Sequence, residues 1–194
     1  MSHLSPQTLT TDEQHALLQA TARVPRDHLI LSLALGTGLR LSELVGLDVG
    51  DVFVPTGAPR VRLRIRDAIA KRHRAGDAFL PDALTPKLTA FWRHKQARGE
   101  RLDAMAPLFC GLSRRRLSTR RVQVLFHHWQ RQAGFDRSYP FHSLRHSAIT
   151  NVYRATRDLF LAQRFARHAS PVTTTIYTHP SDEELRSRLR SLAC

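Results

Sequence analysis

His142, Arg145, His168 and Tyr177 fall within one block, Phe141 to His179, which reads FHSLRHSAIT at its start and RHASPVTTTIYTH at its end. His142 and Arg145 are three residues apart, so on a helix they share a face. Ser170-Pro171 supplies an N-cap and a first helical residue, which predicts a short helix carrying Tyr177. Two cationic or proton-transferring groups and a Tyr hydroxyl, with no metal-ligand cluster beside them, suggest phosphate chemistry through a covalent Tyr intermediate. Guanidinium groups grip phosphoryl oxygens in fixed geometry, where ammonium groups act as point charges. A free Tyr has a pKa near ~10, so a phenolate at pH 7 costs about 4 kcal/mol. Neighbouring arginines lower that cost, and a histidine can take the proton. A phosphotyrosine link conserves the ester, so neither ATP nor a metal is expected, and no cofactor.

A second candidate group lies upstream. Gly36-Thr37-Gly38 ends an apolar helix, and Arg40 follows directly, where its head can reach a ligand. Glu43, three residues on, can hold or orient a basic group, or the two can form an ordinary surface ion pair.

The composition points to a polyanionic partner. Thirty Lys and Arg against 16 Asp and Glu leave a net charge of +14 in 194 residues. Lys71, Lys87 and Lys95 are the only lysines; the excess is arginine, which favours nucleic acid. Cys110 and Cys194 make no disulfide framework, which points to a reducing cytosol and a cytoplasmic protein. The N-terminus has no signal-peptide pattern. The longest apolar run, Leu29 to Leu35, is far too short to span a membrane.

The elements that must position these residues can be read in order. Thr11 is expected to cap a first helix, with Gln14 closing a capping box and Leu17 and Leu18 inward. Pro25 opens the central core helix, apolar nearly all round. A first strand is expected over Asp48 to Val54. Val61 to Arg66 alternates, with Val61, Leu63 and Ile65 inward and three arginines outward. Ala78 to Leu80 returns as the other half of a hairpin with a basic face and a basic tip, Lys71 to Gly76. Thr85-Pro86 opens a helix to Ala97. Arg114 to Arg116 form a basic, phosphate-facing loop. Ser118 caps a helix with Val122, Leu125, Phe126 and Trp129 inward. His127 and His128 diverge on it and are not read as metal ligands. His142 to Ala155 is the next helix. Asp158 caps another, with Leu159, Leu161, Phe165 and Ala166 apolar. A final helix, Ser181 to Leu192, carries a narrow stripe of leucines.

Three boxes resemble those of the tyrosine recombinases, the phage integrases and Xer-type recombinases. They are Thr37-Gly38-Leu39-Arg40-Leu41-Ser42-Glu43-Leu44, His142-Ser143-Leu144-Arg145-His146-Ser147, and His168 with Thr173 to His179. Their spacing agrees too: 23 residues from Arg145 to His168 and nine from His168 to Tyr177. The resemblance runs from about Leu9 to His179.

It implies a mainly α catalytic domain with a small antiparallel β-sheet, a basic cleft around double-stranded DNA, and strand exchange through a 3′-phosphotyrosine. Tyr177 would be the nucleophile, Arg40 and Arg145 the phosphate clamps, His168 a phosphate-bonding donor and His142 a proton-transfer group. Lys71 would be the general acid for the 5′-oxygen, and Glu43 would orient the site. The implied organisation is a lead-in over 1–9, the catalytic domain over 10–180, and a C-terminal helix over 181–194. That helix is either exchanged between subunits or folded back. A homotetramer on paired sites, encoded by a mobile element, would follow. Alternatives are DNA relaxation of the type IB topoisomerase kind and a DNA-binding regulator that kept the fold.

Three departures stand out. Ala166-Arg167-His168 replaces the usual Leu-Gly-His. The hairpin is longer than usual between Lys71 and Pro81 and lacks the common Gly-Lys. The chain begins where the catalytic domain begins, so a fragment or a short form without the N-terminal DNA-clamping domain is expected.

Overall fold

A capping box opens the first helix, α1 (Thr11–Thr21), one residue earlier than its sequence suggests. The Thr10 hydroxyl accepts from the Glu13 N–H at 3.1 Å, and the Glu13 carboxylate accepts from the Thr10 N–H at 2.7 Å. A charged acceptor is the stronger partner there, and Gln14 instead donates its amide to the Leu9 carbonyl. The computed structural model describes residues 7–70, 75–170, 172–177 and 190. Lys71, the rest of the hairpin tip to Arg74, and the expected C-terminal helix apart from Arg190 lie outside them. The chain divides into two units, Gln7–Ala148 and Met1–Pro6 with Ile149–Cys194.

In the larger unit, α2 (Pro25–Thr37) is the central helix, and Leu29, Ile30, Leu31 and Leu33 have no exposed surface. Around it pack Leu17 of α1, Leu88 and Phe91 of α5 (Thr85–Ala97), Val122 and Phe126 of α6 (Thr119–Gln132), and Phe141 and Leu144 at the start of α7 (His142–Thr156). Each such burial contributes about 1.5–3 kcal/mol. Leu9 is buried as well, and its N–H donates to the Ser147 hydroxyl of α7 at 2.8 Å.

Two short helices, α3 (Leu41–Gly46) and α4 (Val49–Val52), follow the central one. The strand expected over Asp48 to Val54 is therefore a helical turn, with extended pairing reduced to isolated bridges, Asp48 with Pro107 and Phe53 with Pro59. The Asp51 carboxylate accepts from the Asp48 N–H at 2.8 Å, which closes a turn where an extended chain would have paired.

The expected hairpin is present as β1 (Arg62–Ile65) antiparallel to β2 (Gly76–Phe79), with Leu63 opposite Ala78. Leu63, Ile65 and Ala78 face inward, but Val61 precedes the strand and is exposed. Arg62 lies over the Phe79 ring at 4.6 Å and Arg64 faces solvent. Arg66 departs from the expected basic face, because two buried carboxylates draw it inward. Its Nε bonds the Asp51 oxygens at 2.9 and 3.0 Å, and its guanidinium also reaches Asp48 and the Gly46 carbonyl. Arg116, expected to face phosphate, turns inward for the same reason, to Asp48 and the carbonyls of Val45 and Leu47.

The smaller unit has its own cluster: Ile149, Ala162, Ala166 and Tyr177, flanked by Val152, Tyr153 and Phe165. Asp158 caps α8 (Leu159–Ala166) through the N–H groups of Phe160 and Leu161. The buried stripe of α8 is Ala162 and Ala166; Leu161, although apolar, is exposed. The last described helix, α9 (Val172–Thr175), is one turn long, and Tyr177 lies just beyond it rather than on it.

Candidate active site

One turn organises the larger unit's share of the candidate residues. Gly38 ends α2 in the left-handed region, at φ +59°, which a side chain would disfavour. The Gly38 carbonyl then accepts a hydrogen bond from the Arg145 guanidinium of α7. Arg145 is only 3% exposed, so its charge is held in place by the fold. Two residues past Gly38, Arg40 begins α3. Its N–H and its guanidinium each bond a Glu43 carboxylate oxygen at 2.8 Å. The Glu43 side chain is buried, while about a quarter of the Arg40 side chain is exposed. The pair is thus a half-buried orienting contact, not the surface pair left open by the sequence. The structure brings Arg40 and Arg145 to the same turn.

His142 stands in the first turn of α7, exposed, with its ring perpendicular to that of His146 at 4.5 Å. The loop before it is fixed from two sides. The Gln130 amide bonds both the N–H and the carbonyl of Tyr139, and the Tyr139 hydroxyl donates to Glu13, the residue that also caps α1.

In the smaller unit, His168 and Tyr177 come together. Their rings lie 6.3 Å apart and 20° from parallel. His168 Nδ1 is 2.9 Å from the Thr174 hydroxyl, and Thr174 is buried, so the imidazole is oriented from α9. Arg167 takes φ +54° at the end of α8, where the usual glycine is replaced, and the His168 N–H still reaches the Gln163 carbonyl. Tyr177 is 7% exposed, and its N–H bonds the Thr174 carbonyl at 3.0 Å.

Three tyrosines are present, and their environments differ. Burial, the bond to Glu13 and that carboxylate's charge push the Tyr139 hydroxyl above its ordinary pKa, which disfavours a phenolate there. Among the lysines, Lys95 has no exposed surface. It donates to Glu100 at 2.8 Å and to the carbonyls of Pro107 and Leu108. Those three bonds use every ammonium proton, so Lys95 is structural. Lys87 donates to the Ser32 hydroxyl at 2.9 Å, and burial lowers its pKa. Sequence reasoning missed the paired carboxylates Asp48 and Asp51. Their spacing of three residues in an apolar stretch was the signal available.

Known proteins resemble the chain in sequence and in fold. The model of the phage integrase family matches residues 7–184. Tyrosine recombinase XerC of Serratia marcescens is 33% identical over 177 residues, covering 90% of this chain and 55% of that protein. XerC of Corynebacterium efficiens is 36% identical over 165 residues, covering 85% and 50%. The chain thus spans about half the length of the curated relatives it matches. Among solved structures, the XerA recombinase is similar at a TM-score of 0.80 and 25% identity, covering 98% of this chain and 68% of that one. The helical fold with one small hairpin, the arginine turn and a family match over nearly the whole sequence have one common explanation: the chain belongs to the phage integrase family.

Proposed function

We propose that this chain is the catalytic part of a site-specific DNA recombinase that cuts and rejoins strands through a 3′-phosphotyrosine. The observation that carries the reading is the Gly38 turn, where two arginines from distant parts of the sequence converge and are held by buried partners. Fixed guanidiniums suit a phosphodiester, whose negative charge grows in a pentavalent transition state. The relatives' shared name, tyrosine recombinase, favours exchange of strands over simple relaxation.

In this reading, Tyr177 attacks the phosphorus that Arg40 and Arg145 hold. His142 takes the phenol proton and His168 donates to a phosphoryl oxygen. Lys71 gives a proton to the departing 5′-oxygen. The bond to that oxygen breaks as the bond to the tyrosine forms, so rejoining needs no outside energy. The catalytic domain spans 10–180, after a lead-in over 1–9, and the helix over 181–194 packs within or between subunits. Double-stranded DNA is the partner, and the cytoplasm is the compartment. Exchange between two duplexes needs four cuts with one tyrosine each, which makes a tetramer the working assembly.

The test uses duplexes with a random core and a nick that lets the cleaved end diffuse away. Protein-bound DNA is recovered by precipitation in detergent. The chain should trap a subset of cores covalently. Tyr177→Phe should retain binding and trap none; trapping by Tyr177→Phe would overturn the nucleophile, and no trapping by the unaltered chain would overturn the reading.

A further inference from the structure

The longer hairpin without Gly-Lys raises the question of what fixes the root from which Lys71 emerges. Arg66 supplies an answer at the end of β1. Its guanidinium bonds three groups on the segment from Gly46 to Asp51: both oxygens of Asp51, one oxygen of Asp48 at 2.6 Å, and the Gly46 carbonyl at 2.9 Å. Asp48 and Asp51 are 4% and 3% exposed, so these are desolvated partners and not surface pairs. Arg116 takes the other oxygen of Asp48 and the carbonyls of Val45 and Leu47, which prevents the Asp48 carboxylate from swinging away.

The backbone of Arg66 is used as well. Its carbonyl accepts from the N–H groups of Ile69 and Ala70, both at 3.1 Å, closing the turn Asp67–Ile69. Ile69 then packs directly on Gly46; a Cβ added there would meet its Cγ2 at 2.5 Å. The chain that leads to Lys71 therefore departs from Ala70, whose N–H bonds the Arg66 carbonyl and whose neighbour Ile69 packs on the far end of α3. The near end of α3 carries Arg40.

We infer that Arg66 is a positioning residue for the general acid: through Asp48, Asp51 and Gly46 it fixes the hairpin root against the helix that carries Arg40. The inference rests on the recombinase reading and on the role of Lys71 within it. In that step the tyrosine oxygen bonds phosphorus. The electron pair of the P–O bond goes to the 5′-oxygen, which takes a proton from the Lys71 ammonium. A sulfur in place of the 5′-oxygen leaves as a thiolate, whose conjugate acid has an ordinary pKa of about 8.5, so it needs no proton.

The test compares two versions of one duplex recovered from the random-core selection, with oxygen or sulfur at the 5′-bridging position. Covalent adduct is timed at saturating protein. General-acid catalysis contributes about 10²- to 10⁴-fold. Arg66→Gln should therefore slow the oxygen duplex by about 30-fold and the sulfur duplex by less than about threefold. It should add little to the loss caused by Lys71→Ala. Arg66→Lys, which retains the charge without the fork, should give an intermediate loss on oxygen alone. Recovery on sulfur itself demonstrates a folded protein. Equal slowing on both duplexes, or no slowing on either, overturns the inference. Normal cleavage of the oxygen duplex by Lys71→Ala overturns the assigned acid and the inference with it. Absence of adduct from the unaltered chain overturns the recombinase reading instead.

Discussion

Gly38 shows how much one residue's backbone can decide. It ends α2 at positive φ, and its carbonyl is the acceptor for the buried Arg145 guanidinium. An L side chain in that region costs roughly 1–2 kcal/mol. Gly38→Ala should lower the unfolding free energy by that amount and so lower the urea midpoint, and a midpoint equal to the parent's would show that the turn is not strained by a side chain. The tyrosines are equally individual. Tyr139 is committed to Glu13 by two 2.9 Å contacts, whereas Tyr177 shares its unit with His168 and Thr174. The types and spacing of Arg40, Arg145 and His168 were readable in the sequence because their boxes are local. The partners that hold them were not. The Gly38 carbonyl is 107 positions from Arg145, and a backbone acceptor has no signature in composition.

At the scale of elements, periodicity located most helices. The central helix, Thr85–Ala97 and the helix capped by Ser118 follow the apolar pattern and its caps. The misreadings of the segment Asp48 to Val54, of Arg66 and of Arg116 share one cause. Asp48 and Asp51 are buried carboxylates that demand cations, so the segment folds as a turn around them and captures Arg66 and Arg116. A pattern of alternating arginines cannot reveal that one of them has a buried partner elsewhere. The packing of α2 on α5 carries a further consequence. Burial, then the nearby Lys87 ammonium, hold the His28 imidazole below its ordinary value of 6.5, against a smaller opposing effect from the Leu18 backbone. Burial also holds His94 low. The unfolded chain takes up these protons more readily, so stability falls as pH drops from about 6.5 toward the folded values. The urea midpoint should decline between pH 7 and pH 5.5, and His28→Gln should flatten that decline. An unchanged slope in the variant would contradict the account of His28.

For the whole molecule the governing quantity is charge. A net charge of +14 makes association with a duplex depend on counterion release. Six or more phosphate contacts would weaken binding about 10³-fold between 50 and 200 mM salt. Sedimentation should find single chains without DNA, four chains on paired duplexes at low salt, and separation as salt rises. Stable tetramers without DNA, or complexes indifferent to salt, would contradict that assembly. The central claim, however, concerns one bond, and it is tested most directly by mapping the covalent adduct. Trypsin digestion of trapped protein should leave the nucleotide's 3′-phosphate on the peptide His168–Arg186, at Tyr177. Attachment to Tyr139 or Tyr153, or to any serine, would contradict it.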